Sequence, residues 1–133
     1  MTAMLLSARL RPEGSPQEWL DRVSTALELL ATRPGYLRGW VGRSPDEPDV
    51  WLLSAEFDSA GACRRALSAA DLRVVLWPLL GLSDAAASTF EVLATADAGQ
   101  PAQRLVSDLA PDAAQVGLGR LPEPDVNDTP LSN

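Results

Sequence analysis

Histidine, lysine and isoleucine are absent from this sequence of 133 residues, and cysteine occurs once, as Cys63. Without histidine there is no imidazole base near neutral pH, no histidine-held haem and no nitrogen-ligated zinc. Without lysine there is no side-chain Schiff base and no phosphate-loop lysine. One cysteine makes no intrachain disulfide and no thiolate cluster, so the fold rests on packing alone. All 11 basic side chains are arginines, set against 18 acidic ones for a net charge of −7. Nucleic-acid partners normally meet a basic face, and anionic membrane surfaces select for basic residues, so neither is expected as a partner. Long apolar runs are also missing, since 74–77 and 79–80 fall far short of a membrane span. The opening MTAMLLSARLR has neither the charged nor the long apolar region of a signal peptide, which makes the cytoplasm the expected location. What is present is a hydrophobic content of 46%, enough for one packed domain.

The pattern along the chain alternates between periods of two and 3.6. Met4, Leu6, Ala8 and Leu10 fall on one face of a first strand, and Leu5, Ser7 and Arg9 on the other. Ser15-Pro16-Gln17-Glu18 is a capping box with proline at the first helical position. Trp19, Val23, Leu27 and Leu30 then recur at helical spacing, until Arg33-Pro34-Gly35 ends the helix. Period-two alternation returns over 36–43, with Leu37, Gly39 and Val41 on one face and Tyr36, Arg38 and Trp40 on the other. The polar turn 44–49 leads into a third strand over 50–57, an antiparallel hairpin partner. There Trp51, Leu53, Ala55 and Phe57 oppose Val50, Leu52, Ser54 and Glu56. Asp58 or Ser59 caps a second helix through Cys63 and Leu67, and 68–80 continues it or forms a separate short helix with Ser68 as its cap. A fourth strand is expected over 86–95, with Phe90 and Val92 on one face.

The resulting β-α-β-β-α-β order predicts an α+β, ferredoxin-like domain over 1–96: a four-stranded antiparallel sheet with its helices on one face. From 97 to 133 the composition shifts to six acidic residues against two arginines, with five prolines. This acidic extension is expected to hold a short helix over 102–109 and then an extended tail.

Three segments carry a family resemblance: the first strand LLSARLRPEGS running into a helix, the Arg33-Pro34-Gly35-Tyr36 entry to the second strand, and the passage Ala55-Glu56-Phe57-Asp58-Ser59. In them the chain resembles the antibiotic-biosynthesis-monooxygenase-like branch of the dimeric α+β-barrel superfamily. The resemblance implies a homodimer in which two sheets share a barrel, and a small-molecule cleft between each sheet and its own helices. It implies a cofactor-independent oxygenase acting on an aromatic or polyketide-like substrate, with no cofactor. The alternative is a non-catalytic small-molecule-binding or dimerisation module. Relatives of the quinone-forming type carry asparagine and tryptophan at the positions where this chain has Leu53 and Phe57. Haem-degrading relatives carry asparagine where Ala8 stands, and a histidine that this chain lacks.

An uncovered sheet face bearing Leu5, Tyr36, Trp40, Val50 and Leu52 is too apolar to face water, which independently calls for a second copy. The expected cleft is lined by Leu6, Ala8, Leu53, Phe57 and Trp77, with Trp51 and Trp77 placed to stack on a planar, apolar or aromatic ligand. Arg64, Arg65 and Arg73, around the second helix, offer guanidinium forks for a carboxylate or phenolate, and Arg38 and Arg43 are alternatives. Glu56 pairs with Arg9 or Arg38 on the opposite face, and Trp19 packs helix to sheet. Cys63 reads as buried packing, since a nucleophilic thiol needs a base and there is no histidine. No residue is singled out as catalytic, and no carboxylate cluster suggests a metal.

Overall fold

The computed structural model describes residues 2–81 and 88–109. The sequence breaks the chain where expected. β1 (Met4–Leu10) leads into α1 (Pro16–Ala31), whose capping box is formed in both directions between Ser15 and Glu18. After Gly35, which takes a positive φ of 88°, come β2 (Tyr36–Arg43) and β3 (Trp51–Phe57). Ser59 caps α2 (Ala60–Ser68), its hydroxyl accepting from the Ala62 amide at 3.1 Å. Two short helices follow, α3 (Ala70–Val75) and α4 (Trp77–Leu80), and then β4 (Ser88–Glu91). Ser68 does not cap α3. Its hydroxyl donates to the Arg64 carbonyl inside α2, and α3 opens at Ala69 without a side-chain cap.

The strands form one antiparallel sheet in the order β2-β3-β1-β4, the ferredoxin-like arrangement. Register places Leu6, Ala8, Leu10, Leu53, Ala55 and Phe57 beneath the helices, where all are fully buried. They meet Trp19, Val23 and Leu30 from α1, Leu72 from α3, and Leu76 and Leu79 around α4. These residues make one continuous apolar core, filled by interdigitating side chains.

The opposite face carries three cross-strand rows: Arg9-Leu52-Gly42, Ser7-Ser54-Trp40, and Leu5-Glu56-Arg38. Arg38 Nε donates to Glu56 Oε1 at 2.8 Å, the pair foreseen from strand alternation. That carboxylate also raises the Arg38 pKa, fixing the guanidinium in its charged form. Trp40, Leu52 and Phe90 remain exposed on this side.

Tyr36 departs from its expected place on that open face. A β-bulge between Tyr36 and Arg38 adds one residue to β2, which reverses the facing of everything before it. Tyr36 therefore turns under the helices, edge-on to Phe57 with ring centroids 5.7 Å apart. Its hydroxyl overlies Gly39, where an added Cβ would sit 2.7 Å from the Tyr36 oxygen. Burial raises the pKa of this phenol. Leu37, expected to face the core, is correspondingly turned outward. Val50 precedes β3 and is nearly buried within its own chain, so it is not an exposed sheet residue.

The last part of the described chain also departs from expectation. Residues 102–109 form no helix. Ala94–Thr95 (β5) and Gln103–Arg104 (β6) make a small hairpin, whose turn contains Gly99 at φ 75° and closes from the Gln100 amide to the Asp97 carbonyl at 3.0 Å. A helix there would gain no apolar burial, because Val106 and Leu109 meet no core surface. The strand instead finds backbone partners, and the Leu105 amide donates to the Leu93 carbonyl. Beyond it the chain is strapped to the domain. Ser107 Oγ and the Asp108 amide both donate to the Glu91 carboxylate, at 2.6 and 2.8 Å, while the Thr2 amide donates to Asp108 Oδ2 at 3.0 Å. The Thr2 hydroxyl donates to the Val106 carbonyl. Positions 86–87 of the expected fourth strand and the extended tail beyond 109 lie outside the described residues.

Candidate functional site

Cross-strand register and the cap of α2 together shape one opening in the helix-covered side of the sheet. Ser59 starts α2 so that Ala60, Cys63, Arg64 and Leu67, one helical face, lie over the end of β1. Met4 of β1 and Thr89 of β4 complete a hollow of about 130 Å³. Its wall is mainly methylene, methyl and thiol, and the Arg64 side chain at its rim is the one cation among the lining residues. An enclosed apolar space of about 150 Å³ accepts a benzene ring, so the hollow has the scale of one ring of a larger molecule.

Cys63, at the base of this hollow, is buried. Burial pushes its thiol pKa up, and the nearby Arg64 charge only partly opposes that. The thiol therefore stays protonated at neutral pH, where it is a poor nucleophile and a good apolar wall. The linkage sign follows: a raised pKa in the folded chain contributes stability that is fully present below the ordinary cysteine value of about 8.5 and is lost as pH rises from there through the raised folded-state pKa. Iodoacetamide alkylation of the native chain at pH 7.5 is expected to run at least roughly tenfold slower than in urea, since only the thiolate reacts. Arg64→Ala should slow it further, by removing the one charge that favours the thiolate; mass spectrometry of timed quenches measures both.

The other residues singled out from sequence are distributed differently. Leu53 and Phe57 do face the helices, but both are wholly buried in the core and line no opening among the described residues. Trp51 is also buried, with the Arg43 guanidinium 5.6 Å from its ring centroid. Trp77 lies outside the core altogether, 50% exposed. Its indole donates to the Leu67 carbonyl at 2.9 Å, and Arg73 sits 5.4 Å over its ring. Proline at 78 ends the α3 segment and starts the single turn of α4, which rotates Trp77 away from the sheet while Leu76 and Leu79 turn in. Arg65 faces a shallow depression on the outer side of α2 with Gly61, Ser68 and Ala69. The structure thus brings only Arg64 of these residues to the opening. Met4, Ala60, Leu67 and Thr89 were not foreseen; the signal for Ala60, Arg64 and Leu67 was their i, i+4 and i+7 spacing after the Ser59 cap.

A second, larger concavity of about 420 Å³ lies on the opposite face, at the end of the sheet where β2 and β3 meet. Gly42 leaves a gap in the Arg9-Leu52-Gly42 row, and Val50, Trp51, Arg43 and Ser44 close its sides. A Cβ built on Gly42 meets nothing within 4 Å. Among the described residues, no helix is long and apolar enough to cross a membrane, and no three carboxylate or thiol side chains gather as a metal site.

The sequence profile of the family named antibiotic biosynthesis monooxygenase matches residues 1–75, from β1 through α3. Among solved structures, the chain is similar to SnoaB, a cofactor-independent oxygenase from Streptomyces nogalater, at 20% identity and a TM-score of 0.61. That alignment covers 75% of this chain and 100% of that one. It is similar also to a conserved protein from Methanosarcina mazei, at 14% identity and a TM-score of 0.57, over 69% of this chain and 92% of that one. At these identities the likeness to solved structures is one of fold. No curated protein sequence matches the chain.

Proposed function

The chain belongs to the antibiotic biosynthesis monooxygenase family, and on that premise we propose that it is a cofactor-independent oxygenase of an aromatic or polyketide-like substrate. In this reading it acts as a homodimer joined through the open sheet face. The supporting observation is the apolar hollow under α2 with a single arginine at its rim. One activated ring of the substrate enters between Met4, Cys63 and Leu67, against an apolar wall and open to solvent on the Arg64 side. Arg64 holds the enolate or phenolate oxygen as the substrate's C–H proton leaves to solvent, which suits a chain without histidine. The resulting carbanion reduces dioxygen itself; a carbon–oxygen bond forms, and loss of water turns a ring CH₂ into a carbonyl. The protein supplies position, an apolar wall and one positive charge, and the substrate supplies the electrons.

A second reading, a non-catalytic binding module, is favoured by the filled core: Leu53 and Phe57 take up space that a deep cleft would need. Oxygen-electrode measurements against hydroquinones and anthrones separate the two. The oxygenase reading expects protein-dependent uptake that saturates with substrate. It also expects Arg64→Ala to raise KM by about tenfold or more, the loss of one charge-assisted contact. Saturable fluorescence quenching by the same compounds, with no uptake above buffer, would leave the module.

A further inference from the structure

The open face of the sheet is self-complementary. Trp40 projects from it, 51% exposed, in the row Ser7-Ser54-Trp40. The concavity of about 420 Å³ opens in the row Arg9-Leu52-Gly42, two residues further along each strand, and Trp40 does not line it. Between these rows lies Ala8-Leu53-Val41, which faces the helices. Consider a two-fold axis lying in the plane of a face-to-face pair of sheets and crossing the strands above that middle row. It sets each copy's Trp40 row on the other copy's Gly42 row. The knob of one copy then meets the hollow of the other, twice, as an isologous interface requires.

Resting on the homodimer reading above, we propose that Trp40 of each protomer inserts into the hollow left by Gly42 of a second copy, and that this contact anchors the dimer. Size supports the fit, since a tryptophan side chain buries about 150–250 Å² and needs a wide, shallow receptor. Chemistry supports it as well. The walls given by Val50 and Leu52 are apolar, and Arg43 at the rim is held over the Trp51 ring and bonded to the Pro48 carbonyl, so the receptor keeps its shape. Charge supports a second copy as the occupant. Each chain carries a net charge of −7, which keeps copies apart in general. The two rows that meet hold no acidic residue, however, and the one carboxylate of the next row, Glu56, is already paired with Arg38. Along these rows two acidic chains meet without opposed carboxylates. The small Ser7 and Ser54 beside Trp40 lower the surface around the knob and let it seat.

The test is sedimentation velocity over a concentration series, on the full chain and three variants. Gly42→Leu projects a side chain into the hollow from a position where an added Cβ meets nothing within 4 Å. Trp40→Ala removes the knob from an exposed position. Each is expected to raise the dimer Kd by at least about tenfold, as truncation of a buried tryptophan anchor does. Circular dichroism melts of both at low concentration should match those of the dissociated parent chain. In the double variant the two effects should not multiply, because knob and hollow form one contact. A dimer whose Kd ignores Gly42→Leu, or two independent effects that multiply, would overturn the insertion and leave the homodimer standing. A parent chain that stays monomeric at all concentrations would overturn both.

Discussion

Phe57→Ala is expected to lower the stability of the domain by about 3–5 kcal/mol, the range for truncating a fully buried aromatic residue. Phe57 ends β3, has no exposed surface and is among the largest wholly buried side chains. Its ring meets the edge of Tyr36 at an interplanar angle of 83°, an arrangement that contributes beyond area burial alone. Tyr36 is itself held there by the bulge in β2, so a cavity at 57 also leaves the phenol without its partner. Surrounding strands pair on both sides of the position, with Met4 on β1 and Tyr36 on β2, and cannot collapse into the gap. For a domain with a typical stability of about 5–15 kcal/mol, such a loss leaves a marginal or unfolded chain. Urea titration should show the midpoint falling with an unchanged slope. Phe57→Leu, which keeps most of the volume, should lose about 1–2 kcal/mol. Equal losses for the two variants would mean that shape at this position matters less than its burial implies.

Leu53→Asn should be nearly as costly, at about 3–5 kcal/mol, for a different reason. Leu53 is fully buried at the middle of β3, flanked across the strands by Ala8 and Val41. Neither neighbour offers a hydrogen-bonding side chain, and the backbone groups there are committed to the ladder. An amide at this position loses apolar burial and places a donor pair and an acceptor in the core without partners. Family resemblance puts an asparagine of the quinone-forming relatives here, so the substitution also tests where this chain could do chemistry. If its cleft were open beneath β3, Leu53→Asn would be tolerated and oxygen uptake would rise. A destabilised variant with no gain in uptake means that the space beneath β3 is closed to substrate. Leu53→Met, similar in volume and apolar, is the control, with an expected cost below about 1.5 kcal/mol.

Both predictions concern residues whose facing was legible from period-two alternation, and whose surroundings were not. Alternation in β1 and β3 correctly divided Leu6, Ala8, Leu53 and Phe57 from Leu5, Leu52, Ser54 and Glu56, because a strand with one buried face has no other register available. The same rule failed in β2. A bulge inserts one residue without a signature in side-chain pattern, and Tyr36 and Leu37 exchanged sides. Trp77 was misplaced for a similar reason. Its place in the helical segment 68–80 was visible, but the break at Pro78 that turns it outward depends on which of Leu76, Trp77 and Leu79 the core accepts. The hairpin after β4 carried a readable turn, Asp97-Ala98-Gly99-Gln100, which the apolar spacing of Leu105, Val106 and Leu109 outweighed.

Much was settled by residue types and local periodicity: the α+β order, the capped helices, the acidic surface and the exclusion of imidazole and lysine chemistry. Those properties depend on groups present or absent, and on backbone preferences acting within a few residues. The tertiary structure alone decided that the space beneath β3 is filled, by Leu53 and Phe57, and that a hollow stays open under α2. It alone placed Arg64 at the α2 hollow and Arg43 at the Gly42 concavity, and set Trp40 and that concavity on one face two residues apart. Such outcomes depend on how volumes from distant segments add up, and side-chain volume summed across strands and helices is not written in any one stretch of chain.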